Sequence, residues 1–177
     1  MHSAYIALGS NLGDRLAWLQ LAVDGLKEMT ETIQCSPVYE SAAHTLRLED
    51  QFPDFLNAVV EVDTDVPVGD LLDYCQSLEH QAKRQRNVPY GPRTLDVDLL
   101  SVGQVTCNTK RIILPHPRLM DRKFVLQPWC DLAPKFMIPY PIHLTVSEAL
   151  ECCQDDSRLE KTPYQLAMGF IPENQER

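Results

Sequence analysis

The sequence predicts an α/β fold of the α+β type, a largely antiparallel sheet with helices packed against it. Three observations predict it. Apolar residues recur with strand or helix periodicity in the order strand-helix-strand-strand-helix-strand. Two of those strands follow one another with no crossover helix between them, which argues against a doubly wound parallel sheet. A chain of 177 residues with 44% hydrophobic content is also long and apolar enough to bury a core of its own. The resulting βαββαβ order is that of a ferredoxin-like sheet with helices on one face.

Each element has a local reason. Ser3 to Leu8 is rich in strand formers and runs into the turn signal Gly9-Ser10-Asn11. Asp14 can cap a helix through its carboxylate. Leu16, Leu19, Ala22, Val23 and Leu26 then repeat at helical spacing within Arg15 to Met29. A second strand is expected over Ile33 to Tyr39. The polar stretch from Ser41 to Pro53 is too long for a hairpin turn and is a candidate functional loop. Phe55 to Val62 reads as another strand. Asp65 as cap and Pro67 in the first turn begin a second helix, whose stripe of Leu71, Leu72, Cys75 and Leu78 continues to Ala82. Arg84 to Pro92 is a basic, proline-containing loop. Leu95 to Val102 is a strand, Gly103-Gln104 a turn, and Arg111 to Leu114 a short extended piece. Pro115-His116-Pro117 breaks the chain before a helix over Val125 to Leu132. Beyond Asp155 the pattern is weak, and Pro172 to Arg177 reads as frayed. With no repeat and no boundary signal, residues 1–160 are expected to form a single domain, with 161–177 a partly ordered extension.

Composition narrows the function classes. No apolar run is long enough to span a bilayer, so no membrane is expected as a partner. Met1-His2-Ser3 leads straight into a strand without the basic and apolar regions of a signal peptide, so a cytoplasmic location is expected. None of the six cysteines forms a C-x-x-C pair; they read as reduced thiols rather than a zinc site. A net charge of −9 speaks against a nucleic-acid partner. Yet nine basic residues and only three acidic ones lie between Lys83 and Lys123. That basic island suits a polyanionic small ligand, and it equally suits a solvated surface of scattered ion pairs.

The chemistry concentrates in GPRTLDVDLL, Gly91 to Leu100. Alternation puts Leu95, Val97 and Leu99 on one face of this strand and Asp96 and Asp98 on the other. Aspartate is disfavoured in strands. Two carboxylates about 6.6 Å apart along one face can hold hard cations that keep waters and phosphates as their other ligands. A bare D-x-D more often marks the polar face of a half-exposed strand. Here Arg93, two residues before Leu95, offers a planar fork matched to phosphate oxygens. His116 sits on a rigid break and can donate to a phosphate, with Arg122 and Phe124 close behind. There is no P-loop and no protein-kinase signature set.

Taken in order, Ala7-Leu8-Gly9-Ser10-Asn11-Leu12-Gly13, Ser36-Pro37-Val38-Tyr39-Glu40-Ser41, QFPDFLNAV from Gln51 to Val59, Glu79, the Arg84/Arg86 pair, GPRTLDVDLL, Leu114-Pro115-His116 and Arg122-Lys123-Phe124 resemble the 6-hydroxymethyl-7,8-dihydropterin pyrophosphokinases of the folate pathway. The likeness covers about Tyr5 to Pro134, and its fold is the ferredoxin-like arrangement read from the elements. It implies an ATP-dependent diphosphotransferase with ATP as co-substrate and small-molecule partners only, acting as a monomer. Two Mg2+ ions would be bound by Asp96 and Asp98. Gln76, Glu79, Arg84, Arg86, Arg93, Arg111, His116 and Arg122 would line the ATP side. Arg84 and Arg93 would act with the two aspartates as the catalytic set. Gly9, Ser41, Ala42, Phe55, Asn57 and Phe124 would form the pterin side, the two phenylalanines sandwiching the ring and the Asn57 amide reading its edge. Several positions depart from the family pattern: the Ser41–Gln51 loop lacks its Pro-Gly element, Ile113 replaces a common Thr, and Pro117 stands where a Tyr can occur. The basic loop reads Asn87-Val88-Pro89-Tyr90 rather than ending in Trp. A metal-dependent phosphohydrolase built on Asp96, Asp98 and His116 is the alternative, as is a non-catalytic pterin- or nucleotide-binding paralogue.

Overall fold

The structure, a computed structural model, describes residues 2–30, 32–43, 52–82 and 92–168. In chain order the elements are β1 (His2–Ser10), α1 (Arg15–Leu26, prolonged by a 3-10 turn over Lys27–Met29), β2 (Thr32–Cys35), β3 (Tyr39–Ser41) and β4 (Phe55–Thr64). There follow α2 (Val68–Gln81), β5 (Asp96–Val102), a hairpin of β6 (Cys107–Asn108) and β7 (Ile113–Leu114), then α3 (Lys123–Leu132), α4 (Val146–Cys152) and β8 (Leu159–Lys161). Six strands make one sheet in the order β5-β1-β4-β3-β8, with β2 also pairing β4, and every pair is antiparallel. The run β5-β1-β4-β3 is the ferredoxin-like order expected from the split βαββαβ pattern. Among the described residues no helix is long and apolar enough to cross a membrane.

Several boundaries differ from expectation, each for a local reason. The single strand over Ile33 to Tyr39 is two strands. Pro37 cannot donate to a ladder, and beside it the Ser36 hydroxyl accepts the Val59 N–H at 2.9 Å. Gly9 and Ser10 do not turn; they continue β1, paired with Asn57 and Leu56 of β4. Asp14 caps α1 by accepting from the Ala17 N–H. Asp65 does not cap α2, whose first position is preceded by Pro67 with no side-chain bond. α3 begins two residues early, at Lys123, and contains Pro128. α4 went unread although its capping box is written in the sequence: Thr145 and Glu148 satisfy each other's backbone N–H groups. The weakly patterned tail contains β8, and Leu166, which is buried in the core.

Helices cover both faces, not one. Ala4, Ile6 and Leu8 of β1, Leu56, Ala58, Val60 and Val62 of β4, and Val97 and Leu99 of β5 pack with Leu95 against Leu19, Ala22, Val23 and Leu26 of α1 and Leu71, Cys75 and Leu78 of α2. The opposite face of the same strands supplies Tyr5, Val59 and Leu100, which meet Val125, Leu126 and Trp129 of α3 and Val146 and Ala149 of α4. Trp129, fully buried, lies 5.0 Å from the Tyr5 ring and 5.7 Å from Phe136.

Candidate active site

The second apolar cluster covers only part of its face. Towards the C-terminal end of β1, the α3-side positions change from Tyr5 to Ala7 and Gly9. Strand register places Gly9 between Asn57 of β4 and Asp96 of β5, and Ala7 opposite Asp98. Ser41 of β3 stands opposite Phe55 of β4. A cleft of about 330 Å³ opens here, lined by Gly9, Ser41, Ala42, Phe55, Asn57 and Phe124 together with Arg93, Asp96, Asp98 and Arg122. Gly9 leaves its floor open. A Cβ on Gly9 would meet Asn57 Oδ1 at 3.6 Å, Phe55 Cδ1 at 3.7 Å and Asp96 Cβ at 3.8 Å, within the space between those three groups. Asn57 is buried, and its amide nitrogen donates to Ser41 Oγ at 2.9 Å. That bond fixes which way the amide faces.

One wall is charged. Arg93 donates to Asp96 Oδ2 at 2.9 Å, and its guanidinium lies 5.9 Å from the Phe55 ring centre. Arg122 approaches Asp98 Oδ2 at 3.4 Å and lies 5.8 Å from the Phe124 ring centre. Burial pulls the Arg122 guanidinium below its usual range, while Asp98 pushes it back up. Each carboxylate is therefore paired with an arginine that also borders an aromatic ring. Among the described residues no group of three or more His, Cys, Asp and Glu side chains converges on a point that could hold a metal. Two carboxylates on one strand face at the edge of a cleft nevertheless fit magnesium. That ion takes few protein oxygens and fills its octahedron with water and phosphate.

A second cleft lies on the β5 edge of the sheet, also of about 330 Å³, lined by Gln76 and Glu79 of α2, Asp98, Arg111 and His116. Glu79, buried at 5% exposure, accepts the Val97 N–H at 3.0 Å and so ties α2 to the edge strand. Glu79 and Asp98 lie near Cys75, and with burial as the main cause they push its thiol up to about 12. His116 accepts the Arg118 N–H at its Nδ1, 3.2 Å away. The proton of the neutral ring then sits on Nε2. Burial pulls His116 below its usual value, against the opposing pull of Asp98. Arg111 is exposed and ion-paired with Asp73. Asp98 borders both clefts.

The structure thus gathers the six residues expected around a pterin into one cleft, and Gln76, Glu79, Arg111 and His116 into another. Arg93 and Arg122, expected with the second group, stand in the first cleft, at its aspartate end. Arg84 and Arg86 lie outside the described residues, as does most of the Ser41–Gln51 loop. Asn11 is a site residue that the sequence pattern does not single out. It is 1% exposed, donates from Nδ2 to Pro53 O at 3.1 Å and accepts the Arg93 N–H at Oδ1 at 2.7 Å. Its own N–H donates to Arg93 O at 3.1 Å. One buried amide therefore joins the approach to Phe55 with the approach to Asp96. The signal for it was a polar residue that could not stay solvated beside an apolar strand. Arg118 and Asp121 also border the first cleft and were not singled out.

Comparison with known proteins identifies the family of the chain. The model of the 7,8-dihydro-6-hydroxymethylpterin-pyrophosphokinase (HPPK) family matches residues 5–134. A 2-amino-4-hydroxy-6-hydroxymethyldihydropteridine pyrophosphokinase from Pseudomonas aeruginosa is 38% identical over 161 residues, covering 90% of this chain and 96% of that protein. The enzyme of the same name from Bacillus subtilis is 40% identical over 131 residues, 73% of this chain and 77% of that one. A crystal structure of Plasmodium falciparum HPPK-DHPS with pteroate superposes with a TM-score of 0.63 at 14% identity, and that likeness is one of fold. It takes in 85% of this chain but only 43% of that longer one. With a family match across residues 5–134 and relatives 38% and 40% identical over most of their length, this chain belongs to the HPPK family of pyrophosphokinases.

Proposed function

We propose that the chain transfers the β,γ-diphosphate of ATP to the hydroxymethyl oxygen of 6-hydroxymethyl-7,8-dihydropterin, releasing AMP, as a step of folate biosynthesis. The observation that carries this reading is that Asp98 borders two clefts of different character. One offers aromatic rings and a buried amide, suited to a flat heterocycle. The other offers a neutral histidine and an arginine, suited to phosphates.

The first cleft holds the pterin with its hydroxymethyl group turned towards Asp96 and Asp98. Phe55 and Phe124 take the faces of the ring, Asn57 and Ser41 its polar edge, and Gly9 and Ala42 leave room for it. ATP lies along Gln76, Glu79, Arg111 and His116, with its phosphates reaching towards Arg93 and Arg122. The hydroxymethyl oxygen bonds to the β-phosphorus while the bond from that phosphorus to the α,β-bridging oxygen breaks. AMP leaves with the bridging oxygen, and the hydroxyl proton passes to solvent. Two magnesium ions held by Asp96 and Asp98 would supply charge neutralisation at the attacking and leaving oxygens. The chain's own part is positioning: Arg93 and Arg122 neutralise phosphate charge, His116 donates from Nε2, and the rings exclude water from the attacking oxygen. Arg84 and Arg86 complete the phosphate side, Arg84 acting with Arg93 on the developing charge. The active unit in this reading is a monomer acting on small molecules of the cytoplasm.

The test is to incubate the protein with ATP, magnesium and hydroxymethyldihydropterin and follow AMP. AMP that appears only with the pterin supports the reading. Release of phosphate or ADP without pterin would replace it with a phosphohydrolase, and binding of either substrate without turnover would replace it with a binding protein.

A further inference from the structure

The segment from Asp155 to Thr162 touches three walls of the first cleft, and the proposed chemistry gives it no role. Asp155 Oδ2 accepts the Lys123 N–H at 3.1 Å, while its Oδ1 accepts the Ser157 N–H at 3.0 Å. Lys123 is the first residue of α3, whose own N-cap residue, Arg122, makes no side-chain cap bond. Asp155 thus caps α3 from a distant part of the chain, between Arg122 and Phe124, which both line the cleft. A carboxylate there satisfies an orphan N–H and the positive end of the helix dipole. Three residues on, Arg158 pairs with Asp54, immediately before Phe55. The Asp54 carbonyl also accepts from Arg15 at 2.8 Å. Then β8 pairs with β3, setting Leu159 opposite Ser41, and Thr162 Oγ1 closes the segment on Val38 O at 2.8 Å.

We propose that Asp155–Lys161 is a positioning strap for the acceptor half of the site, setting the spacing of Phe124, Phe55 and Ser41 around the pterin. The inference rests on the pterin reading of the first cleft. The segment's bonds to Lys123, to Asp54 and to β3 all run to the walls of the first cleft. Its loss should therefore separate the two substrates. A strap that served stability alone would not.

The experiment compares the full chain with Asp155→Ala, Asp155→Asn and Arg158→Ala, measuring KM for each substrate, kcat and melting temperature. Asp155→Ala should raise KM for the pterin about fivefold, the scale of a lost helix cap, and KM for ATP by a clearly smaller factor, since Arg122 adjoins the cap while Gln76, Arg111 and His116 line the other cleft. Asp155→Asn, which keeps one acceptor oxygen, should recover part of the loss. Arg158→Ala should move the pterin KM in the same direction but less, since exposed ion pairs contribute little. A lower melting temperature with an unchanged pterin-to-ATP KM ratio overturns the strap, as does an equal rise in both constants. If Asp155→Ala does not fold, the other two variants carry the same comparison. Absence of pterin-dependent AMP from the unsubstituted chain would instead count against the reading of the cleft.

Discussion

On the α1/α2 side of the sheet, Ala4, Ile6 and Leu8, then Leu56 to Val62, then Leu95 to Leu99, are apolar and buried at every second position to the strand ends. On the α3/α4 side the same strands contribute buried core residues at Tyr5, Val59 and Leu100. Past those residues they present Gly9, Asn57, Asp96 and Asp98. The difference follows from where the helices end. α1 and α2 set apolar side chains against all three strands, so burial demands hydrocarbon there. α3 starts beside the cleft, and polar side chains ahead of it can meet ligand and water. One face is thus a core, and the other is part core and part site.

If that division holds, changes on the two sides should separate activity from stability. The largest effect should come from Asp98→Ala, with turnover reduced about a thousandfold or more, because several kcal/mol of charge stabilisation is removed. Its melting curve should stay close to that of the unsubstituted chain, since Asp98 projects into solvent-accessible clefts. A fully active Asp98→Ala would break the comparison. Trp129→Ala should act the other way, costing about 3–5 kcal/mol in denaturant unfolding for the large cavity it leaves. A cost below about 1 kcal/mol would mean that the α3 half of the face is not a true core.

Asn11→Ala belongs to both categories. It leaves the Pro53 carbonyl and the Arg93 N–H without their buried partner, so about 1–3 kcal/mol of stability should be lost. Both KM values should rise, because the amide holds the approach to Phe55 and the approach to Asp96 together. An effect on one substrate only would show that the two approaches are independent. The smallest effect expected is from Gly9→Ala. The new methyl meets its neighbours at ordinary contact distances, so the fold should tolerate it. It occupies the cleft floor, and affinity for the pterin should fall by about 1–2 kcal/mol, the cost of modest overpacking. An unchanged pterin KM would place the ring elsewhere.

Much of this was legible in the residues. The alternation in Leu95 to Leu100 separated Asp96 and Asp98 from Leu95, Val97 and Leu99, because pleating sends neighbours to opposite faces whatever surrounds the strand. The spacing of Phe55 and Asn57 put them on one face for the same reason. Pro37 was visible too, but its consequence was missed, since whether a proline ends a strand depends on the partner strand's need for an N–H. β8 could not be seen. Leu-Glu-Lys has no strong pattern, and it is a strand only because β3 presents an open edge to it.

What the sequence by itself determined is the order of the βαββαβ core, the ferredoxin-like class and the identity of the paired carboxylates. These follow from local periodicity and from short motifs whose geometry is set within a few residues. Tertiary structure alone decided that helices cover both faces, that Arg93 and Arg122 share the cleft of Phe55 and Asn57, and that Asn11 and Asp155 hold that cleft's walls. Those contacts join residues from 24 to 82 positions apart, such as Arg122 with Asp98 and Asn11 with Arg93. No local preference encodes a hydrogen bond between distant groups. It forms only when the packing of the whole chain brings a buried donor to the one acceptor within reach.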